Sequence, residues 1–104
     1  MRQFDVCRNR GRTRDGFPYF VVVQSEEFAR SARRLVIPLT SEVACYPAIA
    51  PVFEVEGRKV VADALLTFAI PVERLGEVVA SLGEEAEAER VLNALDRVLA
   101  RSWR

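Results

Sequence analysis

Histidine is absent from the 104 residues. Without it there is no Ser-His-Asp or Cys-His catalysis, no general base of the usual kind near neutral pH, and none of the commonest metal ligand. Cysteine is scarce: Cys7 and Cys45 lie far apart with no zinc spacing, and both read as structural thiols of a reducing compartment. No P-loop, dinucleotide fingerprint or Cys-x-x-Cys occurs, so neither a cofactor nor a metal is expected. No run of about 18 apolar residues is present, and the start, MRQFDVCRNR, lacks the apolar core of a signal peptide. The expectation is a cytoplasmic protein that does not engage a membrane.

Half of the residues are hydrophobic, and the length suits one compact domain spanning residues 1–104. Net charge is zero but unevenly spread. Basic residues outnumber acidic ones eight to four over 1–40 and four to one over 90–104, whereas 41–89 carries three basic against ten acidic. Fourteen of the fifteen basic residues are arginine, the side chain suited to planar recognition of carboxylates and phosphates. A GC-rich genome accounts for that bias equally well. Overall neutrality argues against non-specific nucleic-acid binding as the main task.

The pattern along the chain is one of short strands. Gln3 to Arg8 alternates, and RNRGRTRDG, with Arg8, Arg10, Arg12 and Arg14 at every second position, reads as a mobile basic loop. FPYFVVVQS has the aromatic and β-branched character of a strand buried on both faces. LVIPLTS predicts another, with Pro38 favouring an edge or a bulge. APVFEVEGRKVVAD is a hairpin over Glu56 and Gly57, and LLTFAIP a strand ending at Pro71. VERLGEVVASLG reads only as a short apolar stretch before a helix. Ser81 and Glu84 match a capping box, and Val91, Leu92, Leu95, Val98 and Leu99 form the helix's apolar stripe. The expected class is mostly β (α+β), a small barrel with one carboxy-terminal helix.

Catalysis by arginine and hydroxyl groups stays open, with Arg33, Arg34, Thr40 and Ser41 near one strand, although nothing in their spacing singles them out. Periodicity and spacing alone predict a binding protein.

The order of segments is more specific than any segment singly. QFDV, FVVVQS, RRLVIPL, APVFEVEG, IPVERLGEVVASL, and a helix with NAL before a terminal tryptophan together resemble the CcdB family of bacterial toxins, nearly end to end. The resemblance implies an SH3-like barrel of antiparallel strands with a small extra sheet and a carboxy-terminal helix, shared with the MazF and Kid ribonuclease toxins. It implies a homodimer that binds the A subunit of DNA gyrase and traps the cleavage complex without itself being an enzyme. It also implies a cognate CcdA-like antitoxin, and operator DNA bound only together with that antitoxin. Two alternatives remain: an endoribonuclease on the same barrel, and a non-toxic homologue that only binds an antitoxin.

Site residues follow from the resemblance one at a time. Trp103 matches the tryptophan that stacks on gyrase arginines, a cation–π contact. Gln3 and Phe4 match the opening strand, Ser25 the serine of VQS, Phe28 an apolar position of the next loop, and Asp96 the second asparagine of NAIN. Arg8, Arg10, Arg12 and Arg14 match a loop that suits an acidic antitoxin tail. Cys7 and Glu27 replace a tyrosine and an aliphatic residue among the family's gyrase contacts, and Trp103-Arg104 replaces Trp-Gly-Ile. The helix is about three residues longer before the tryptophan, a rotation of about 300° and a rise of about 4.5 Å.

Overall fold

A computed structural model describes residues 1–101. Seven strands form one sheet: β1 (Asp5–Asn9), β2 (Tyr19–Val22), β3 (Arg33–Thr40), β4 (Val52–Val55), β5 (Arg58–Ala62), β6 (Phe68–Pro71) and β7 (Leu75–Ser81). Helix α1 (Glu85–Leu99) follows. The strand order is β4-β5-β3-β2-β1-β7, with β6 attached to β3, and every pairing is antiparallel. The result is a half-barrel with a helix, as the strand-rich pattern predicts.

All four residues of β2 are buried. Because side chains alternate across a strand, Tyr19 and Val21 join Val6, Ile37, Leu39, Val60 and Phe53 on one face, while Phe20 and Val22 join Cys7, Val36, Ile70 and Leu75 on the other. Helix α1 closes the first face through Val91, with Ala88 and Leu95 packed beside it. Leu92 and Leu99 do not belong to this stripe and are 40% and 79% exposed. At about 100° per residue they stand some 80 to 100° round the helix from Val91, at the margin of the buried face.

Pro38 is neither at an edge nor at a bulge: it pairs with Phe20 inside β3, which borders β2 on one side and β6 and then β5 on the other. The Val23 N–H donates to the Leu35 carbonyl, so odd residues of β3 bond toward β2 and even residues away from it. Pro38 falls after the β6 partners of Arg34 and Val36 and before the β5 partner of Thr40. Its missing donor lies where none is needed.

The hairpin is as expected, and its turn residues Glu56 and Gly57 have φ of 51° and 75°. Both positive values define the turn type that matches strand twist, which glycine adopts freely and glutamate does not. Two expectations fail. VERLGEVVASLG is a turn followed by the seven-residue strand β7, hydrogen-bonded to β1. Only Leu75 is buried, with Val79 and Ala80 partly buried against the first core, so the strand lacks a continuous buried run. The Ser81–Glu84 capping box does not form. Ser81 is the last residue of β7, its Oγ accepts from the Gly83 N–H, and Glu84 stands at the N-cap without a side-chain bond. The Leu82 N–H donates to the Phe4 carbonyl, which holds this segment in the sheet too late for Ser81 to reach the helix.

Strand β4 is an edge, and α1 covers part of it. The Arg90 guanidinium lies 4.6 Å from the Phe53 ring centroid and donates to the Val52 carbonyl at 3.0 Å. Arg90→Ala removes a cation–π contact and a charge-assisted bond together, and is expected to cost about 1–2 kcal/mol. Thermal unfolding at fixed protein concentration checks this: Arg90→Ala melts several degrees lower, and an unchanged midpoint contradicts it.

Candidate functional site

The amino-terminal corner is built on an unusual backbone. Phe4 adopts φ 69°, left-handed for a residue with a Cβ, yet its ring is buried in the first core. Burial of the ring and bonding on both sides offset a strain of about 1–3 kcal/mol. The Phe4 N–H donates to the Val22 carbonyl at 2.6 Å, and its own carbonyl accepts from Leu82. Gln3 Nε2 donates to the Val23 carbonyl at 3.0 Å, and the Asp5 carboxylate accepts from the Arg2 N–H at 2.7 Å. Ser25, two residues beyond Val23, caps the short turn Glu26–Phe28 by accepting from the Glu27 N–H.

Gln3 and Phe4 thus share one corner with Glu26 of the short turn that Ser25 caps. They line a recess of about 470 Å³ with Asp5, Glu26 and Glu84. Three carboxylates against the single Arg2 make it a place for a cationic side chain. Phe28 is 59% exposed on the adjoining turn. Phe4, in contrast, offers a partner little more than its backbone. Asp96 is exposed but does not join this group within one chain, since twelve helical residues, about 18 Å, separate it from Glu84. Trp103 lies outside the described residues.

The arginine loop differs from its expected form in two ways. Arg8 is not in it. It lies in β1, where its guanidinium donates to Glu77 and Glu56 at 2.7 Å each, and Glu56 also accepts from the Tyr19 hydroxyl at 2.7 Å. That network ties β1, β2 and β7 to the β4–β5 turn and fixes Glu56 at its positive φ. Hydrogen bonding to Glu77 leads the causes that raise the Arg8 pKa further. Burial first, then the bond to Glu56, raises that of Tyr19.

The loop is also anchored at its base, where the sequence suggests only mobility. Buried Asn9 donates to Thr13 Oγ1 and to the Phe17 carbonyl and accepts from the Gly11 N–H at 2.7 Å. A Cβ on Gly11 would sit 3.1 Å from that same Asn9 oxygen, so the close approach favours glycine. Arg10, Arg12 and Arg14 project from this base and are exposed.

The four residues considered for arginine and hydroxyl catalysis do not converge. Arg33 and Thr40 begin and end β3, about 23 Å apart along the strand. Arg34 donates to the carbonyls of Ala29, Ser31 and Arg33, and Thr40 is buried with its hydroxyl accepting from Glu42. Among the described residues no cluster of acids and thiols could hold a metal ion, and no helix is long and apolar enough to cross a membrane. An apolar recess of about 470 Å³ beside the hairpin, between Val43, Pro47, Val52 and Val61, takes in only Ser41 of the residues singled out in sequence. Its signal, the nearly uncharged run VACYPAIAP, was present but carries no motif.

Cys7 is fully buried in the second core and Cys45 is exposed. Burial, and then the charge of Asp5, raises the Cys7 pKa from 9.0 to about 11. A thiol-specific reagent at mildly alkaline pH is expected to modify one cysteine of the folded protein quickly and both only after unfolding; two fast equivalents contradict this placement. The folded state keeps a proton on Cys7 that the unfolded chain loses, so its contribution to stability is intact below pH 9 and falls as pH rises toward 11. Urea midpoints measured across that window should decline, and less so for Cys7→Ala.

Comparison with known proteins agrees with this geometry. Three solved structures superpose over nearly the whole chain. A mycobacterial endoribonuclease in complex with its cognate antitoxin matches with TM-score 0.80 at 15% identity, covering 100% of this chain and 99% of that one. The Mycobacterium tuberculosis toxin MazF-mt6 matches at 0.77 and 16%, covering 95% and 99%, and MazE-MazF from Deinococcus radiodurans at 0.71 and 18%, covering 97% and 95%. At such identities the likeness concerns the fold alone. No curated protein matches in sequence. The family described as CcdB protein matches residues 3–100, which takes in the strained Phe4 corner, the arginine loop and the whole of α1, and the chain therefore belongs to the CcdB family of toxins of toxin–antitoxin systems.

Proposed function

We propose that this CcdB-family toxin acts by binding rather than by catalysis, as a homodimer that engages the A subunit of DNA gyrase and traps the cleavage complex. The family match over residues 3–100 carries the reading. The amino-terminal corner supports it: Gln3, Ser25 and exposed Phe28 adjoin a recess lined by Asp5, Glu26 and Glu84, which complements a partner surface rich in arginine. Trp103 adds the aromatic face for such an arginine, and the homodimer brings the two carboxy-terminal helices together so that Asp96 and Trp103 of both chains act at one place. A cognate antitoxin neutralises the toxin through an acidic segment, and the pair represses its own operator.

A second reading, an endoribonuclease, draws on the fold shared with the mycobacterial enzyme. The dispersal of Arg33, Arg34, Thr40 and Ser41 speaks for the first.

A gyrase cleavage assay tests the proposal. Purified toxin, supercoiled plasmid, ATP and the host's gyrase are incubated, and trapped breaks appear as linear DNA after detergent and protease. Linear DNA is expected with wild type, and Trp103→Ala should require at least about 30-fold more protein to produce it. Asp5→Asn with Glu26→Gln should weaken the response several-fold at low salt and less at high salt. Absence of linear DNA at every concentration overturns the gyrase reading, and cleavage of single-stranded RNA under the same conditions would install the second.

A further inference from the structure

Between the arginine loop and β6 lies a cleft of about 390 Å³ that no sequence motif announced. Its floor is apolar. Phe68, 44% exposed, is held against buried Phe20 in an edge-on contact at 6.0 Å, with Ile70 and Pro71 alongside. Arg33 from β3 and Arg74 from the turn before β7 line its walls. The Arg74 side chain passes within 3.6 Å of where a Cβ on Gly11 would be, so it lies against the base of the loop that carries Arg10, Arg12 and Arg14. No carboxylate lines the cleft, and neither Arg33 nor Arg74 is ion-paired among the described residues. Asn9 and Thr13, its other polar members, are hydrogen-bonded to each other.

An apolar floor under unpaired guanidinium groups has a definite preference in ligands. We propose that this cleft seats an acidic peptide segment, one branched or aromatic side chain of which lies on Phe68 while its carboxylates take up Arg33 and Arg74. The inference rests on the reading that an acidic antitoxin segment binds this toxin, and it moves the principal contacts from the loop arginines to two arginines outside the loop. It does not rest on the gyrase reading. A single-stranded nucleic acid fits less well: the cleft exposes one ring rather than a succession of stacking faces, and the chain as a whole carries no net positive charge.

The test uses the full-length protein and a random-peptide phage library. Peptides enriched on wild type are synthesised with a fluorophore and titrated against wild type, Arg33→Ala/Arg74→Ala, Arg33→Gln/Arg74→Gln and a charge-matched control, Arg2→Ala/Arg30→Ala. All four substituted positions are exposed arginines, and thermal melting verifies that each variant is folded. The expected peptides carry Asp and Glu around a Leu, Ile or Phe, bind about tenfold or more weakly to both Arg33/Arg74 variants, and change by less than about twofold with the control. Enrichment of peptides without acidic bias, no enrichment at all, equal losses in the control, or tighter binding of a single-stranded RNA oligonucleotide overturns the proposal. Gyrase cleavage by the Arg33/Arg74 variants should remain at the wild-type level, which keeps a failure of this inference separate from a failure of the gyrase reading.

Discussion

Strand β3 must satisfy hydrogen-bonding neighbours on both edges, and the rest of the structure depends on how it does so. One edge is given wholly to β2. The other is divided between β6, which pairs from Arg33 to Val36, and β5, which pairs at Leu39 and Thr40. A residue with an N–H at the junction would leave a buried donor without a partner, at a cost of about 1–3 kcal/mol. Proline at position 38 removes the donor. The division sets the geography of the surface as well, because β6 places Pro71 opposite Arg33 and brings Phe68 to the same cleft, and β5 carries the hairpin whose turn delivers Glu56 to Tyr19 and Arg8.

The hairpin, the doubly buried β2 and the terminal helix were legible in the sequence because each obeys a local rule: an x-Gly turn between alternating runs, an unbroken β-branched run, a 3.6-residue period. Strand β7 was not. Only Leu75 of its seven residues is buried, and its pairing with β1 is irregular between Val6 and Asn9, so it shows neither a buried run nor a clean alternation. The capping box failed for a similar reason, since the bond from Leu82 to Phe4 is made by backbone groups that no spacing of side chains reveals.

Site residues divide along the same line. Gln3, Phe4 and Ser25 each follow from family resemblance, whereas their shared corner follows from the bonding of the chain's start to residues 22 and 23. Arg8 stood in a row of arginines at every second position, and its sequence neighbours gave no sign that two glutamates, 48 and 69 residues away, hold it in β1. Arg74 is an ordinary surface arginine in sequence, Arg33 stands out only beside Arg34, Thr40 and Ser41, and the two share a cleft only because β6 folds back on β3.

These placements explain how a chain with no net charge can present surfaces of opposite sign. The β1–β7 pair runs from Asp5 opposite Ser81, beside the carboxylates of the amino-terminal corner, to Asn9 opposite Leu75, beside the arginine loop. The ends lie about 13 Å apart along the strand. That exceeds a Debye length of about 8 Å at physiological ionic strength, so neither pole cancels the other for an incoming partner. Between them Arg8 pairs with Glu77 and Glu56 at close range and offsets one of their two charges, which weakens the field in the middle of the surface. A surface rich in arginine and one rich in carboxylate would therefore each find its complement at a separate end of one strand pair. A net charge of zero, read from composition, measures their sum and conceals both.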